Sequence, residues 1–226
     1  MGSSPRDPRT PAAVRTLATP VGPARVHVHP SRTSGATATV VLGHGAGGGV
    51  AARDLAALAA ALPAAGYAVV LVEQPWRVAG RRVAGPPAQL DAAWRAVLAG
   101  LDVSGPLVVG GRSAGARVAC RTAAGAGAAA VVALAFPLHP PGRPERSRAQ
   151  ELLASGAPTL VVQGERDPFG RPGELPPGPD VAVIPTADHG FAVPRSAVVT
   201  QAEALTLVCA AVRRFLDGKI RPGGRR

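Results

Sequence analysis

The stretch that decides the fold is PLVVGGRSAGARVA, residues 106–119. Its first half, PLVVGG (106–111), is a short apolar run rich in valine, as is typical of a buried strand. After it the pattern becomes helical, so Ser113 lies in a tight turn between a strand and a helix. Gly111 and Gly115 flank this turn and avoid the clashes that Cβ atoms would cause there. Such a turn projects a serine hydroxyl outward, and Ser113 is therefore the predicted nucleophile.

Similar valine-rich runs recur along the chain, and helical patterns fill most of the intervals between them. This alternation predicts an α/β fold with a mainly parallel central sheet and helices on both faces. Ligands of such folds bind at the carboxyl ends of the strands. The predicted strands are 24–29, 39–43, 67–73, 106–111, 130–136, 159–164 and 181–185, and the predicted helices lie near 52–65, 87–101, 114–124, 146–154 and 197–216.

A second glycine-rich turn, LGHGAGGG (42–49), follows the 39–43 strand. A loop of this composition leaves backbone N–H groups free to bind negative charge. The amides of Ala46 and Ala114 are therefore the predicted oxyanion hole. His44 is interpreted as a structural brace of the loop. The loop lacks the Gly-Lys-Ser/Thr ending of a P-loop, which argues against a nucleotide phosphate site.

Two acidic residues, Glu165 and Asp167, come just after the 159–164 strand. An acid at the end of a strand can hydrogen-bond an imidazole and fix its tautomer. Pro168 and Gly170 indicate a turn that begins at Asp167, so Asp167 is the predicted acid. Glu165 remains the alternative.

A histidine follows the last predicted strand and precedes the C-terminal helix. From that loop His189 can reach Ser113 and act as its general base. Asp188, adjacent in sequence, need not face the imidazole and is interpreted as a turn residue. The predicted catalytic set is thus Ser113, Asp167 and His189, and its chemistry requires no cofactor.

Composition limits the classes of protein and partner that are possible. The chain has 226 residues, 46% of them hydrophobic, which suits one globular domain. The formal net charge is +11, but the basic residues are scattered and Lys219 is the only lysine, so we expect no nucleic-acid partner. No apolar run reaches the ~20 residues of a membrane span, and MGSSPRDPRTP (1–11) has no secretory signal. We therefore expect no membrane association and a cytoplasmic location.

The chain is expected to have three parts. Residues 1–20 are rich in proline, arginine and threonine and are predicted to form a flexible N-terminal arm. Residues 21–217 carry the alternating strands and helices and form the predicted domain. Residues 218–226 are predicted to be a basic flexible tail.

The sequence offers one pair of potential metal ligands and one pair of cysteines. His27 and His29 alternate on the first predicted strand, but no third ligand is evident, so we expect no metal site. Cys120 and Cys209 lie in apolar helical patterns and are interpreted as free buried thiols.

Two loops dense in proline, glycine and arginine, 74–86 and 137–145, emerge at the carboxyl edge of the predicted sheet. Arginines beside a cleft favour anionic ligands, although solvated surface arginines are the alternative interpretation. The short connection from Phe136 to Thr159 leaves no room for a large cap. The candidate substrate-binding residues on these loops are Trp76, Arg77, Arg81, Arg82 and Arg143.

The motifs together resemble the α/β-hydrolase superfamily over residues 21–217. More narrowly, they look like compact bacterial hydrolases related to dienelactone hydrolase, in a group that includes an animal testis-expressed hydrolase-like protein and a regulatory subunit of a histone acetyltransferase complex. The segments that carry the resemblance are LGHGAGGG (42–49), GGRSAGARVA (110–119), FPLHPPGRPE (136–145), VVQGERDPFG (161–170) and DHGF (188–191).

The resemblance implies the α/β-hydrolase fold, with a sheet of the eight-stranded type, and catalytic residues in the order Ser113, Asp167, His189. Dienelactone enzymes use a cysteine nucleophile, and Ser113 in that place argues against their substrate. We expect a serine hydrolase that cleaves an ester, thioester or lactone of a small soluble substrate through an acyl-enzyme. Because some relatives act as binding proteins, a non-catalytic scaffold is the alternative.

Overall fold

A single sheet organises the molecule. In the computed structural model, which describes Asp7 and residues 10–220, the sheet has eight strands. They are β1 (Ala13–Leu17), β2 (Ala24–His29), β3 (Ala38–Gly43), β4 (Tyr67–Glu73), β5 (Leu107–Arg112), β6 (Ala130–Leu134), β7 (Thr159–Gly164) and β8 (Asp180–Ile184). Their spatial order is β1-β2-β4-β3-β5-β6-β7-β8. β1 and β2 are antiparallel to their neighbours, and the remaining strands run parallel to one another.

Helices cover both faces of this sheet. They are α1 (Arg53–Ala61), α2 (Pro75–Val78), α3 (Pro87–Ala99), α4 (Ala114–Thr122), α5 (Ala149–Leu153) and α6 (Gln201–Lys219). The apolar residues of α1 and α6 pack in one core cluster, and those of α3, α4 and α5 pack in another. Among the helices that the structure describes, none has the length and apolar character needed to cross a membrane.

Most of the valine-rich runs form strands that are covered on both faces, whereas β8, at the edge of the sheet, is mostly exposed. All six residues of β3 are buried. Val40 and Leu42 point into the cluster with α1 and α6, whereas Val41 points into the cluster with α3 and α4. Successive side chains of a strand alternate between faces, so an uninterrupted apolar run matches a doubly covered strand. The α/β fold predicted from sequence is confirmed.

The prediction of a flexible arm over residues 1–20 is wrong for its second half. Residues 13–17 form β1 and pair with β2 from Ala13 opposite Val28 to Leu17 opposite Ala24. Most of β1 is exposed, so it has no hydrophobic alternation to reveal it. Backbone hydrogen bonds to β2 stabilise it at the edge of the sheet. Residues 1–6 and 8–9 lie outside the described residues.

The predicted C-terminal end of the domain, at residue 217, also lies too early in the sequence. α6 continues to Lys219, and the Ile220 N–H donates to the Leu216 carbonyl oxygen at 2.8 Å. Ile220 is 3% exposed and packs in the core, which holds this end of the helix to the domain. The rest of the predicted tail, 221–226, lies outside the described residues.

The loops at the carboxyl edge differ from prediction in one detail. The segment 74–86 begins with α2, a single helical turn whose first residue is Pro75, a position that suits proline. Between β6 and β7 the described chain has only α5 and connecting loops, so no cap covers this edge.

Candidate active site

The turn after β5 holds Ser113 in a strained conformation. Its φ is 54° and its ψ is −113°, a region that residues with a Cβ atom rarely adopt. The Ser113 N–H donates to the carbonyl oxygen of Leu134 on β6 at 2.9 Å. Backbone strain of this kind persists where the surroundings enforce it, and here it aims the hydroxyl away from the sheet.

Close packing against β3 requires glycine on both sides of this turn. Gly111 has a φ of 156°, and a Cβ there would lie 2.5 Å from the carbonyl oxygen of Gly43. A Cβ at Gly115 would overlap the same oxygen. The glycines therefore let the first turn of α4 approach the end of β3.

Two hydrogen bonds in series join Ser113 to His189 and Asp167. His189 Nε2 lies 2.9 Å from Ser113 Oγ, and His189 Nδ1 lies 2.8 Å from Asp167 Oδ2. With Asp167 ionised, Nδ1 carries the proton and donates it to the carboxylate, which leaves Nε2 to accept from the serine hydroxyl. The ring of Phe169 lies against the imidazole, with 4.2 Å between ring centroids. The structure thus brings the three predicted residues together.

Asp167 is fully buried and accepts hydrogen bonds from three donors. Besides His189, its Oδ2 accepts from the side-chain amide of Gln163 at 3.0 Å, and its Oδ1 accepts from the Phe169 N–H at 2.8 Å. A buried carboxylate needs such donors to replace water.

Gln163 is the functional neighbour that the sequence analysis missed. It is fully buried at the end of β7. Its amide nitrogen lies 3.1 Å from the Phe136 carbonyl oxygen and 2.8 Å from that of Gly170, and its oxygen accepts from the Phe136 N–H at 2.9 Å. The only signal in the sequence is that Gln163 is a polar amide within a mainly apolar strand.

The two other acids near the site have different partners. Glu165 Oε2 accepts from the Thr186 N–H at 2.6 Å, on the loop that follows β8. Asp188 Oδ1 accepts from the N–H groups of Gly190 and Ala192 at 2.7 and 2.8 Å. Asp188 therefore closes the turn that carries the histidine, and Asp167 is the acid that contacts the imidazole.

His44 braces the glycine-rich loop. Its Nδ1 lies 2.9 Å from the Gly45 carbonyl oxygen, and its Nε2 accepts from the Gln74 N–H at 3.1 Å. Its ring meets that of Trp76 edge on, with 5.3 Å between centroids. Burial lowers the pKa of His44, so the neutral ring that these contacts require is favoured. The brace ties the loop after β3 to the end of β4.

The glycine-rich loop lies directly beside Ser113. A Cβ at Gly45 would be only 3.2 Å from the Cβ of Ser113. Within the described residues, neither the N–H of Ala46 nor that of Ala114 donates a hydrogen bond to the protein. Both amides are therefore free to bind another acceptor.

The candidate substrate-binding residues occupy different surroundings. Trp76 is mostly buried, and Arg77 lies beside the glycine-rich loop, its Nε 3.7 Å from where a Cβ at Gly49 would be. Arg81 and Trp76 line a cavity of about 220 Å³, and Ser113, Asp167 and His189 are not among the residues that line it. Arg82 and Arg143 are exposed. In the part of the chain that the structure describes, these four arginines form no ion pair with an acid.

The residues considered as metal ligands form no cluster. His27 Nε2 lies 3.8 Å from Glu73 Oε2, but no group of three or more potential ligands occurs among the described residues. Cys120 is buried, and Cys209 is partly buried. Burial raises the pKa of Cys120 to about 12 and that of Cys209 to about 11, which keeps both thiols protonated at neutral pH.

The chain belongs to the alpha/beta hydrolase domain family, whose model matches residues 36–217. No curated protein gives a significant sequence match.

Solved structures of this fold cover almost the whole chain. A dienelactone hydrolase from Anabaena variabilis aligns with a TM-score of 0.71 at 21% identity, over 92% of this chain and 98% of that one. A serine hydrolase without a lid from Xanthomonas campestris aligns with a TM-score of 0.66 at 24% identity, over 91% and 95%. Est1E from Butyrivibrio proteoclasticus aligns with a TM-score of 0.71 at 16% identity, over 92% and 99%. At these identities the likeness establishes the fold.

Replacing Gln163 by leucine is expected to lower the free energy of unfolding by about 2–4 kcal/mol, because the Phe136 N–H and the Gly170 carbonyl lose their buried partner. Chemical denaturation measures the loss. Gln89→Leu, at an exposed position on α3, is the matched control and should change stability by less than about 0.5 kcal/mol. Equal effects of the two substitutions would show that the buried contacts of Gln163 contribute nothing.

Proposed function

We propose that the protein is a serine hydrolase that cleaves an ester, thioester or lactone of a small substrate through an acyl-enzyme. The continuous hydrogen-bonded series from Ser113 Oγ through His189 to Asp167 supports this function above all. The proposed catalytic residues are Ser113 as nucleophile, His189 as general base and Asp167 as the orienting acid.

In the first step Ser113 Oγ attacks the carbonyl carbon while His189 Nε2 removes the hydroxyl proton. The carbonyl π electrons move to oxygen, and the N–H groups of Ala46 and Ala114 bind that oxyanion. When the intermediate collapses, the bond from carbon to the leaving oxygen or sulfur breaks, and the imidazolium protonates the departing alkoxide or thiolate to give an alcohol or a thiol. Water, deprotonated by the same histidine, then attacks the acyl carbon, the bond to Ser113 Oγ breaks, and the imidazolium returns its proton to Oγ as the acid is released. No cofactor takes part.

Asp167 remains ionised throughout and stabilises the imidazolium that forms in each step. Its three hydrogen-bond donors support this role, because they replace the water that a buried carboxylate loses. The stacked ring of Phe169 restricts rotation of the imidazole. A base that is held in its reactive orientation needs little reorganisation during the reaction.

The surroundings of the site favour small substrates that carry a negative charge. No cap encloses the carboxyl edge, so little apolar surface is available to bind a long acyl chain. Arg77 lies beside the glycine-rich loop without an acidic partner in the described structure. Arg82 and Arg143 add exposed positive charge on the loops that end at this edge. Unpaired arginines raise the local concentration of anions.

Ser113→Ala is expected to reduce hydrolysis of activated esters by about 10⁴-fold or more, the loss that follows removal of such a nucleophile. A fluorophosphonate probe should label the wild-type protein at Ser113 and leave the variant unlabelled. Near-wild-type turnover by Ser113→Ala would exclude this nucleophile. Absence of both turnover and labelling in the wild type would favour the non-catalytic binding module instead.

Asp167→Asn and Asp188→Asn are a matched pair of substitutions on the two loops at the site. Asp167→Asn should lower kcat by about 10³–10⁴-fold, because an amide no longer stabilises the imidazolium or its tautomer. Asp188→Asn keeps a side-chain oxygen that can accept from Gly190 and Ala192, so its loss should stay below about tenfold. Steady-state kinetics with one activated ester compares them. Comparable losses would show that Asp188 shares the role of the acid.

Carboxylate-bearing esters should have a higher kcat/KM than matched neutral esters at low salt. The difference should shrink as salt rises, because the Debye length falls from about 10 Å at 0.1 M to about 3 Å at 1 M. Arg77→Gln should reduce the preference, whereas Arg95→Gln, on α3, should not. Equal rates on both esters at low salt would leave these arginines as ordinary surface residues.

A further inference from the structure

The residue that precedes the nucleophile reaches into the interior of the site. The guanidinium Nη2 of Arg112 donates to the carbonyl oxygen of His189 at 2.6 Å. Its Nε lies 3.2 Å from Asp54 Oδ2, and the Arg112 side chain is 16% exposed. Arg112 therefore connects β5, the start of α1 and the loop that carries the imidazole.

The guanidinium of Arg112 lies close to glycines on both neighbouring loops. A Cβ at Gly45 would lie 3.4 Å from Arg112 Nη1, and a Cβ at Gly190 would lie 3.6 Å from Nη2. The guanidinium thus passes between the glycine-rich loop and the histidine loop. A planar group with several N–H donors can contact both partners at once.

Asp54 fixes the other end of this connection. It is fully buried in the first turn of α1, and within the described residues Arg112 is the only group that forms an ion pair with it. Burial raises the pKa of Asp54, and the adjacent Arg112 charge opposes that rise. A carboxylate buried with one partner makes removal of that partner costly, so the guanidinium is held in place.

We propose that Arg112, anchored by Asp54, is a positioning residue that holds the backbone of His189 and thereby keeps the imidazole within hydrogen-bond distance of Ser113. The histidine loop has few other restraints at this residue. Its side chain is held by Asp167, and its turn is closed by Asp188, but the His189 carbonyl bonds only to Arg112 in the described structure.

The consequence for catalysis is geometric. This inference rests on the proposed role of His189 as general base. A displacement of about 1 Å at a reacting group can cost about 100-fold in rate. Loss of the Arg112 contact should therefore lower kcat, whereas binding of a small substrate should change little, because the described contacts of the Arg112 guanidinium are with Asp54 and the His189 carbonyl oxygen.

The test compares full-length wild type with Arg112→Gln, Arg112→Lys and Asp54→Asn. Arg117→Gln is the matched control, because Arg117 forms a bidentate ion pair with Glu151 and its side chain is similarly buried at 21% exposed, away from the histidine loop. Steady-state kinetics on an activated ester and the rate of Ser113 labelling by a fluorophosphonate measure activity.

Proton NMR supplies a readout that does not depend on turnover. The ring N–H that His189 donates to buried Asp167 should give a downfield resonance, which Asp167→Asn assigns by removing it. For Arg112→Gln we expect a kcat that is lower than that of wild type by about 10- to 100-fold and a KM within about threefold of wild type. We also expect the ring resonance of His189 to be broadened or absent. Arg112→Lys and Asp54→Asn should fall between Arg112→Gln and wild type.

Wild-type kcat and an unchanged ring resonance in Arg112→Gln would overturn the inference, as would equal losses in Arg117→Gln. If Arg112→Gln does not fold, Arg112→Lys and Asp54→Asn decide by the same readouts. If wild type neither hydrolyses esters nor is labelled, the proposed function fails, and the ring resonance alone decides whether Arg112 positions His189.

Discussion

The close approach of the turn that carries Ser113 to the end of β3 is the constraint on which the site depends. The Gly43 carbonyl oxygen occupies the space that Cβ atoms at Gly111 and Gly115 would need. Because these contacts are backbone to backbone, the turn cannot relax without separating α4 from the sheet. The strained φ of Ser113 persists for the same reason, since β5 is paired with β3 on one side and with β6 on the other. The hydroxyl and the adjacent free amides therefore keep fixed relative positions.

Two fully buried carboxylates lie around His189, and their surroundings differ. Asp167 accepts from three donors, which replace the water that it loses on burial. Among the described residues, Asp54 has only Arg112 as an ion-pair partner, and burial raises the pKa of Asp54. Buried ion pairs contribute little net stability, but breaking one by removing a single partner is strongly destabilising. Both acids are thus suited to fixing geometry, one at the imidazole ring and the other, through Arg112, at the backbone of the same residue.

The sequence predicted the parts of the fold and site that depend on local patterns. Ser113, Asp167 and His189 each follow an apolar run that forms a strand, so topology alone brings them to one edge. The strands before Ser113 and Asp167 are largely buried, whereas β8, before His189, is a mostly exposed edge strand. β1 could not be predicted, because an exposed edge strand held by backbone hydrogen bonds needs no side-chain pattern. Gln163 and the Arg112–Asp54 pair could not be predicted either. Their partners lie on other elements, and polar residues inside apolar runs do not reveal which atoms they will contact.

The absence of a cap between β6 and β7 determines what can discriminate between substrates. In an enclosed site, shape and apolar burial select the ligand. At an open carboxyl edge, the selecting groups must be those that act over a distance or at the reacting carbonyl. The amides proposed to bind the oxyanion would recognise any carbonyl, so they would not discriminate between acyl groups. Charge on the edge loops remains, and Arg77 beside the glycine-rich loop is the arginine best placed to supply it. Selection by charge would favour fast capture of small anions over tight binding, because long-range attraction acts mainly on association.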